Sequence, residues 1–286
     1  MNEITLNAYA KINLTLDILS RKEDGYHTIS SVMQSISLRD KVSVKRADKL
    51  SISCNRTDIP CDERNIAHKV ATAFFEYTKI KSGAEIHIEK HIPSQAGLGG
   101  GSADGAAVLV ALNKLYNTNL SQGALSVIGT SVGADIPFCL KGSTLLAEGI
   151  GEMLSPIPQL PDCYIVIAKP NFGIDTKGAY KAFDELKTKP DYATPEFIKS
   201  LGGKICSIAP KVNNMFEECI KNPDIEAIKV KLLSLGALGC AMSGSGSAVF
   251  SIFDSLSRAE QACKKMKELG LFSYVSVPVT CGVEEV

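Results

Sequence analysis

The chain has 286 residues, 45% of them apolar and 22% charged, and its 31 basic and 31 acidic side chains leave no formal net charge. That length suits one large or two modest domains, and that balance argues against broad attraction to nucleic acid or an anionic membrane, although a local basic pocket stays open. No apolar run reaches membrane-spanning length, the opening residues lack the basic-then-apolar layout of a secretory leader, and nine cysteines without a Cys-x-x-Cys pair suit buried thiols in a reducing cytosol better than a disulfide framework or a metal cluster.

From Ile4 to Ile18 apolar residues fall on every even position, against Thr5, Asn7, Tyr9, Lys11, Asn13, Thr15 and Asp17 on the odd ones. The pattern predicts one long strand, or two joined by a bulge, with Lys11 and Asn13 projecting from the polar face. A solvated outer face is the usual explanation, yet only Lys11 and Asp17 are ionic there. A polar turn over 21–27 centres on Asp24-Gly25. Tyr26 and His27 are either plain turn residues or a ring and an imidazole set to stack on and hydrogen-bond a heterocycle. Strands are expected around 41–44 and 50–54. A helix is expected over 65–77, with Ile66, Val70, Ala73 and Phe74 on one face and Asn65 as its N-cap.

Ile86, Ile88 and Ile92 then alternate with Glu85, His87, Glu89 and His91, the mark of a half-buried strand. It runs into Pro93-Ser94-Gln95-Ala96-Gly97-Leu98-Gly99-Gly100-Gly101-Ser102-Ala103-Asp104. Glycines this dense pack nothing and cost backbone entropy inside a strand or helix. Val108, Leu109, Leu112, Leu115 and Tyr116 follow at helical spacing, with Ser102 placed as the N-cap. Strand, bare loop and helix start together offer unpaired amides at the positive end of a macrodipole, a setting suited to phosphate. A glycine-rich turn joining two elements is the plainer alternative. Two familiar phosphate loops are excluded: no Lys follows the glycines as in Walker A, and Ser102 stands where the dinucleotide fingerprint needs its third Gly.

A helix is expected over 120–131, then Gly133-Ala134-Asp135-Ile136-Pro137. Pro137 is expected to push Ile136 out of helical geometry and leave Asp135 on a constrained loop, as either a helix cap or a base. Residues 144–148 and 153–154 read as a hairpin around Gly149 and Gly151. The cluster Pro156, Pro158 and Pro161 marks a boundary, giving domains over 1–158 and 159–286. Beyond it come a strand over 164–168, a helix capped by Thr176 that carries Tyr180 and Phe183, and helices over 214–220 and 225–235. A second Gly/Ser loop near 241–248, which alone reads as a strand-entry turn, leads into a strand ending at Phe253. A helix over 258–269 and a strand over 274–279 close an α+β pattern.

Ala10-Lys11-Ile12-Asn13-Leu14, Pro93 through Ala103, and Met242-Ser243-Gly244-Ser245-Gly246 resemble, in order, the three signature regions of the GHMP kinases (galactokinase, homoserine kinase, mevalonate kinase, phosphomevalonate kinase). The resemblance spans essentially the whole chain. It implies a two-domain α+β GHMP kinase fold: a ribosomal protein S5 domain 2-like N-terminal domain and a ferredoxin-like C-terminal domain. The run Ala10–Leu14, Asp24-Gly25-Tyr26-His27 and Gly99-Gly100-Gly101-Ser102 are similar to the branch that uses ATP to phosphorylate the 2-hydroxyl of 4-diphosphocytidyl-2-C-methyl-D-erythritol in non-mevalonate isoprenoid synthesis. The rivals are a homoserine- or mevalonate-type kinase, which needs no stacking site for cytosine, and a catalytically silent nucleotide sensor, which needs neither Lys11 nor Asp135.

On this resemblance Asp135 takes the proton of the attacking hydroxyl while Lys11 orients it and stabilises developing charge, in a reaction carried mostly by positioning and electrostatics. Asn65 and Lys90 are expected at the adenosine of ATP. Pro93, Ser94, Gln95, Ala96, Gly97, Leu98, Gly99, Gly100, Gly101, Ser102 and Ala103 are expected to hold its phosphates, with Gly244 and Ser245 closing the site from the second domain. Asn13, Tyr26, His27, Thr176 and Tyr180 are expected around the substrate, Tyr26 and Tyr180 sandwiching the cytosine and His27 hydrogen-bonding it. Phe183, one turn from Tyr180, is the competing ring. Asp104 departs from the family pattern and is expected to point away from the anion. Mg2+ is expected to bridge ATP oxygens, with no protein ligands apparent in the sequence. The resemblance further implies a cytoplasmic monomer or homodimer without nucleic-acid or membrane partners.

Overall fold

The computed structural model describes residues 2–188 and 190–286. The alternating opening forms two strands, β1 (Glu3–Asn13) and β2 (Thr15–Arg21), parted at Leu14. After the turn, β3 (His27–Ala47) runs for 21 residues and organises the first sheet. β4 (Ser51–Cys54), β5 (Gly83–Glu89), β6 (Thr144–Glu148) and β7 (Met153–Pro156) complete this part. Successive stretches of β3 pair antiparallel with β2, β6, β1 and β5, while β4 joins β5 in parallel and β7 joins β6. Helices α1 (Ile66–Thr78), α2 (Gly100–Leu115), α3 (Gln122–Thr130) and α4 (Ile136–Lys141) cover one face. α2 lies against β1 and β3 with the other three around it. Ala103, Ala106, Ala107 and Ala111 are fully buried and let its backbone approach the sheet closely.

The second half opens with β8 (Tyr164–Lys169), α5 (Thr176–Asp184), α6 (Thr194–Ser200), α7 (Ile205–Ile208) and the two-residue β9 (Asn213–Asn214). It continues with α8 (Pro223–Ser234), β10 (Gly239–Met242), β11 (Val249–Phe253), α9 (Leu256–Glu268) and β12 (Phe272–Ser276). Its antiparallel sheet has the order β10-β11-β8-β12, the split βαβ arrangement of a ferredoxin-like unit. The period of two along β8 decides the packing. Val166 and Ala168 pack in a core with residues of α8 and α9, whereas Ile165 and Ile167 join the core of the first half. One apolar cluster therefore runs through both halves. No helix among the described residues is long and apolar enough to cross a membrane.

The proline cluster begins at the last residue of β7 and runs toward β8, and the last residues of the expected 159–286 domain return to the first sheet. The register of β1 on β3 jumps between Tyr9↔Arg39 and Ala10↔Ile36. At that bulge Ser37 N donates to Val277 O (2.9 Å) and Leu38 N to Ser276 Oγ (3.1 Å). A last strand, β13 (Val283–Glu285), then pairs with β1. Tyr9 donates its hydroxyl to Glu284 (2.5 Å), and burial together with that carboxylate pushes the phenol up to about 12.

Four local expectations differ. Gly99, at φ 67°, occupies the N-cap of α2, so the helix starts three residues before Ser102 would have capped it. Ile136 is the first residue of α4, because a proline in the first turn forfeits no helical hydrogen bond. Asp175 rather than Thr176 caps α5, accepting from Gly178 N at 2.7 Å. Residues 214–220 form no α-helix: Asn214 turns its side chain onto Phe216 N, Met242 O and Gly244 O, leaving a 3-10 turn over Met215–Glu218.

Candidate active site

The polar face of β1 and β2 is not solvated: Lys11, Asn13, Thr15 and Asp17 are 5%, 1%, 0% and 0% exposed. The second half supplies their partners. Asp17 accepts from Ala193 N (3.0 Å) and Thr194 N (2.8 Å) at the start of α6, the Thr15 and Thr194 hydroxyls meet at 2.8 Å, and Asn13 N reaches Ser243 Oγ at 3.3 Å.

The two Gly/Ser loops interlock. Ser243 Oγ donates to Gly97 O (2.9 Å), Ala248 N to Ala96 O (3.2 Å), and a Cβ on Gly97 would stand 1.8 Å from Ser243 O. The second loop is thus more than a strand-entry turn. Lys11 N donates to Leu98 O (3.0 Å), and a Cβ on Gly99 would fall 2.8 Å from Lys11 Cγ, so the lysine stem runs against the glycine loop. Its ammonium lies 3.4 Å from Asp135 Oδ2 and 2.8 Å from Asn13 Oδ1. Asp135 holds the N-cap position of α4 without making a capping bond, and its side chain keeps 33% of its surface open. Gly151, between β6 and β7, is another neighbour that sequence reading missed: a Cβ there would stand 3.9 Å from Asp135 Oδ1. At the start of α2, the amides of Gly100, Gly101 and Ser102 precede the first intrahelical bond, Ala103 N to Gly99 O, and so face outward as donors. A cation, an open carboxylate and a row of free amides can hold an anionic phosphate chain and deprotonate a hydroxyl beside it.

On the far side, Tyr180 is stacked on His27 (4.6 Å between centroids, 11° between planes) and meets Phe216 edge-on. Of the two rings expected to sandwich the cytosine, Tyr26 is 62% exposed, and Tyr180 carries the His27 imidazole flat against it. Phe183 is core, whereas Tyr180 packs against His27 and Phe216. Burial first, and the charge of Asp135 second, push the Tyr180 phenol up to about 12, so it stays neutral within the field of that carboxylate. His27 Nε2 lies 2.7 Å from Asp184 Oδ1, and the other oxygen of that carboxylate, Oδ2, lies 3.4 Å from Arg21. Asp184 was not singled out in the sequence, although it falls four residues after Tyr180 on the same helix. Thr176 Oγ1 meets Ser245 Oγ at 2.9 Å.

Three expected contacts are engaged elsewhere. Asn65 spends its amide as a helix cap, accepting from Ala67 N (2.9 Å) and donating to Pro60 O (2.7 Å). Lys90 turns its ammonium inward to Asp40 (2.5 Å) and Asp104 (2.7 Å), all three buried, instead of toward adenosine. Asn13 commits both amide atoms to Lys11 and Ser31. The buried triad underlies the glycine loop: a Cβ on Gly100 would lie 3.2 Å from Lys90 Nζ, and Asp40 Oδ1 accepts from His91 N and Ile92 N. Asp104 is turned into this buried triad. Burial, outweighing Lys90 and aided by Asp40, lifts its carboxyl well above the usual range; burial opposes the charge on Lys90, but the two carboxylates together hold its ammonium above its ordinary value. Asp40 carried a legible signal, since it shares the apolar face of β3 with Leu38 and Val42.

Residues 65–143 match the GHMP kinases N terminal domain, and residues 215–270 the GHMP kinases C terminal. A Clostridium botulinum protein named 4-diphosphocytidyl-2-C-methyl-D-erythritol kinase is 43% identical over 281 residues, covering 97% of this chain and 99% of its own length. An Acetivibrio thermocellus protein of the same name is 45% identical over 269 residues, or 92% and 93% of the two chains. A solved 4-(cytidine 5'-diphospho)-2C-methyl-D-erythritol kinase superposes with a TM-score of 0.81 at 30% identity, over 96% of this chain and 98% of that one. With a kinase-type site beneath its glycine loop and relatives matching along nearly its full length, the chain belongs to the GHMP kinases and, within them, to the 4-diphosphocytidyl-2-C-methyl-D-erythritol kinase family.

Proposed function

We propose that the protein transfers the γ-phosphoryl group of ATP to the 2-hydroxyl of 4-diphosphocytidyl-2-C-methyl-D-erythritol, with Asp135 as base and Lys11 as its electrostatic partner. The carrying observation is the 3.4 Å approach of Lys11 to Asp135 beside the first turn of α2. ATP lays its phosphates along residues 93–103, where the outward amides of α2 and its dipole favour negative charge. Gly244 and Ser245, on the loop locked against Gly97, close the phosphate side. The open edge of Asp135 accepts the hydroxyl proton as the oxygen forms its bond to γ-phosphorus and the bond to the β-phosphate oxygen breaks. Lys11 offsets the charge that develops there. Tyr26, His27, Thr176 and Tyr180 take the diphosphocytidyl end. Among the described residues no three His, Cys, Asp or Glu side chains gather as a metal site. Mg2+, when bound with ATP, would neutralise part of the charge on the phosphate chain.

A coupled ATPase assay with diphosphocytidyl-methylerythritol, mevalonate and homoserine tests the acceptor; stimulation by mevalonate or homoserine alone overturns it. Asp135→Asn is expected to lower kcat by about 10²- to 10⁴-fold while ATP still binds. A variant that keeps most of its turnover removes Asp135 from the role of base.

A further inference from the structure

We infer that Ser31 is a positioning residue for Lys11, acting through Asn13; the inference rests on the role of Lys11 proposed above. Ser31 lies on β3 and is fully buried. Its hydroxyl has one hydrogen, and Thr15 O, 2.6 Å away, can only accept it. Toward Asn13, 2.8 Å away, Ser31 Oγ is therefore an acceptor, and Asn13 must turn its NH2 group that way. That choice presents the other amide atom, the carbonyl oxygen, to the Lys11 ammonium at 2.8 Å. Asn13 and Lys11 are both buried, so water cannot rescue a reversed amide. A reversed amide would set NH2 against the ammonium and drive it from its place beside Asp135.

Thr15 is fixed by the same logic. Its hydroxyl accepts from Val32 N (3.1 Å) and donates to Thr194 Oγ1 (2.8 Å), whose own hydrogen goes to Ser30 O (3.1 Å). The direction of every bond from the start of α6 to Lys11 is thus set by groups that can only donate or only accept.

Ser31→Ala is expected to lower kcat roughly tenfold to a hundredfold, the range for losing one hydrogen bond to a charged group, with the KM of ATP and of the acceptor changed less than about twofold. Ser31→Thr, which keeps the hydroxyl, is expected to recover most of kcat. Should Ser31→Ala fail to fold, Ser31→Cys, similar in size but a poor acceptor, is expected to show the same loss. The deciding measurement is made with Asn13→Asp. A carboxylate offers oxygen to Lys11 whichever way it turns, so in that background Ser31→Ala is expected to cost nothing. An equal loss in both backgrounds overturns the inference, as does a wild-type kcat for Ser31→Ala. Lys11→Met is read separately: full turnover there removes the proposed role of Lys11, whereas a dead Lys11→Met beside an unaffected Ser31→Ala removes only the role of Ser31.

Discussion

A single methyl group placed on Gly97 tests whether the two Gly/Ser loops depend on each other. Gly97 has φ +73°, and the added Cβ would meet Ser243 O at 1.8 Å, Ser243 C at 2.8 Å and Gly246 N at 3.2 Å. These are backbone atoms, so no side chain can rotate clear. The left-handed conformation costs an L-residue roughly 1–2 kcal/mol and the forced shift about 1–3. Parting the loops also loses the Ser243–Gly97 hydrogen bond, worth about 1 kcal/mol. Gly97→Ala should therefore cost roughly 3–6 kcal/mol, a large part of the ~5–15 kcal/mol typical of a folded domain. Gly25→Ala is the control, because Gly25 has φ +87° but nothing within 4 Å of the added Cβ, leaving only the conformational cost. Urea denaturation of both variants, with calorimetric titration of a non-hydrolysable ATP analogue, separates the effects. Gly97→Ala should lose at least about 2 kcal/mol more than Gly25→Ala and bind the nucleotide more weakly. Equal losses, or unchanged nucleotide affinity, refute the interlocked-loop argument.

The buried triad predicts a pH dependence. Folded Asp104 holds its proton to higher pH than the unfolded chain does, so the folded state binds more protons in the window above the ordinary carboxylate range. Its contribution to stability consequently falls as pH rises through that window, and Asp104→Asn should gain on the native protein from about pH 4 toward neutrality. Parallel stability curves for the two proteins exclude this account. At the other end of the site, Asp184→Asn removes the charge facing His27 and Arg21. An increase of about tenfold in the KM of the diphosphocytidyl substrate is expected, with kcat nearly unchanged; an unaltered KM denies Asp184 any part in holding that ring.

Much of the architecture was legible because burial follows simple periods. The even positions of 4–18 did face the core, the helices around 66–78, 122–130, 223–234 and 256–268 fell close to their expected spans, and the glycine run did join a strand to a helix. The meeting of Lys11 with Asp135 was reached through motif resemblance, since nothing local in either stretch points to the other. What stayed hidden has one physical cause: alternation says which residues share a face, not what covers it. The odd positions read as solvated because their cover comes from Thr194 and Ser243, far along the chain. The partner of Lys90 was hidden for the same reason. Its assignment to adenosine came from the resemblance alone, whereas Asp40, which claims its ammonium, lies 50 residues earlier in the chain.

Lys11 and Asp135 both belong to the first half, so the reacting groups themselves do not require the second. Their surroundings do. A chain ending at 158 would expose Ile165's and Ile167's apolar partners and strip Asp17 of the two amides at the start of α6. Unpaired groups on that face would then hydrate, and water would compete for the Lys11 ammonium that the buried geometry reserves for Asn13 and Asp135. The tail adds a second tie, since β13 cannot pair with β1 unless the chain has first completed β12. The ferredoxin-like half thus acts on the chemistry as a cover, excluding solvent from the Lys11 side of the charge pair while Asp135 keeps its open edge, and the shared apolar core is what holds that cover in register.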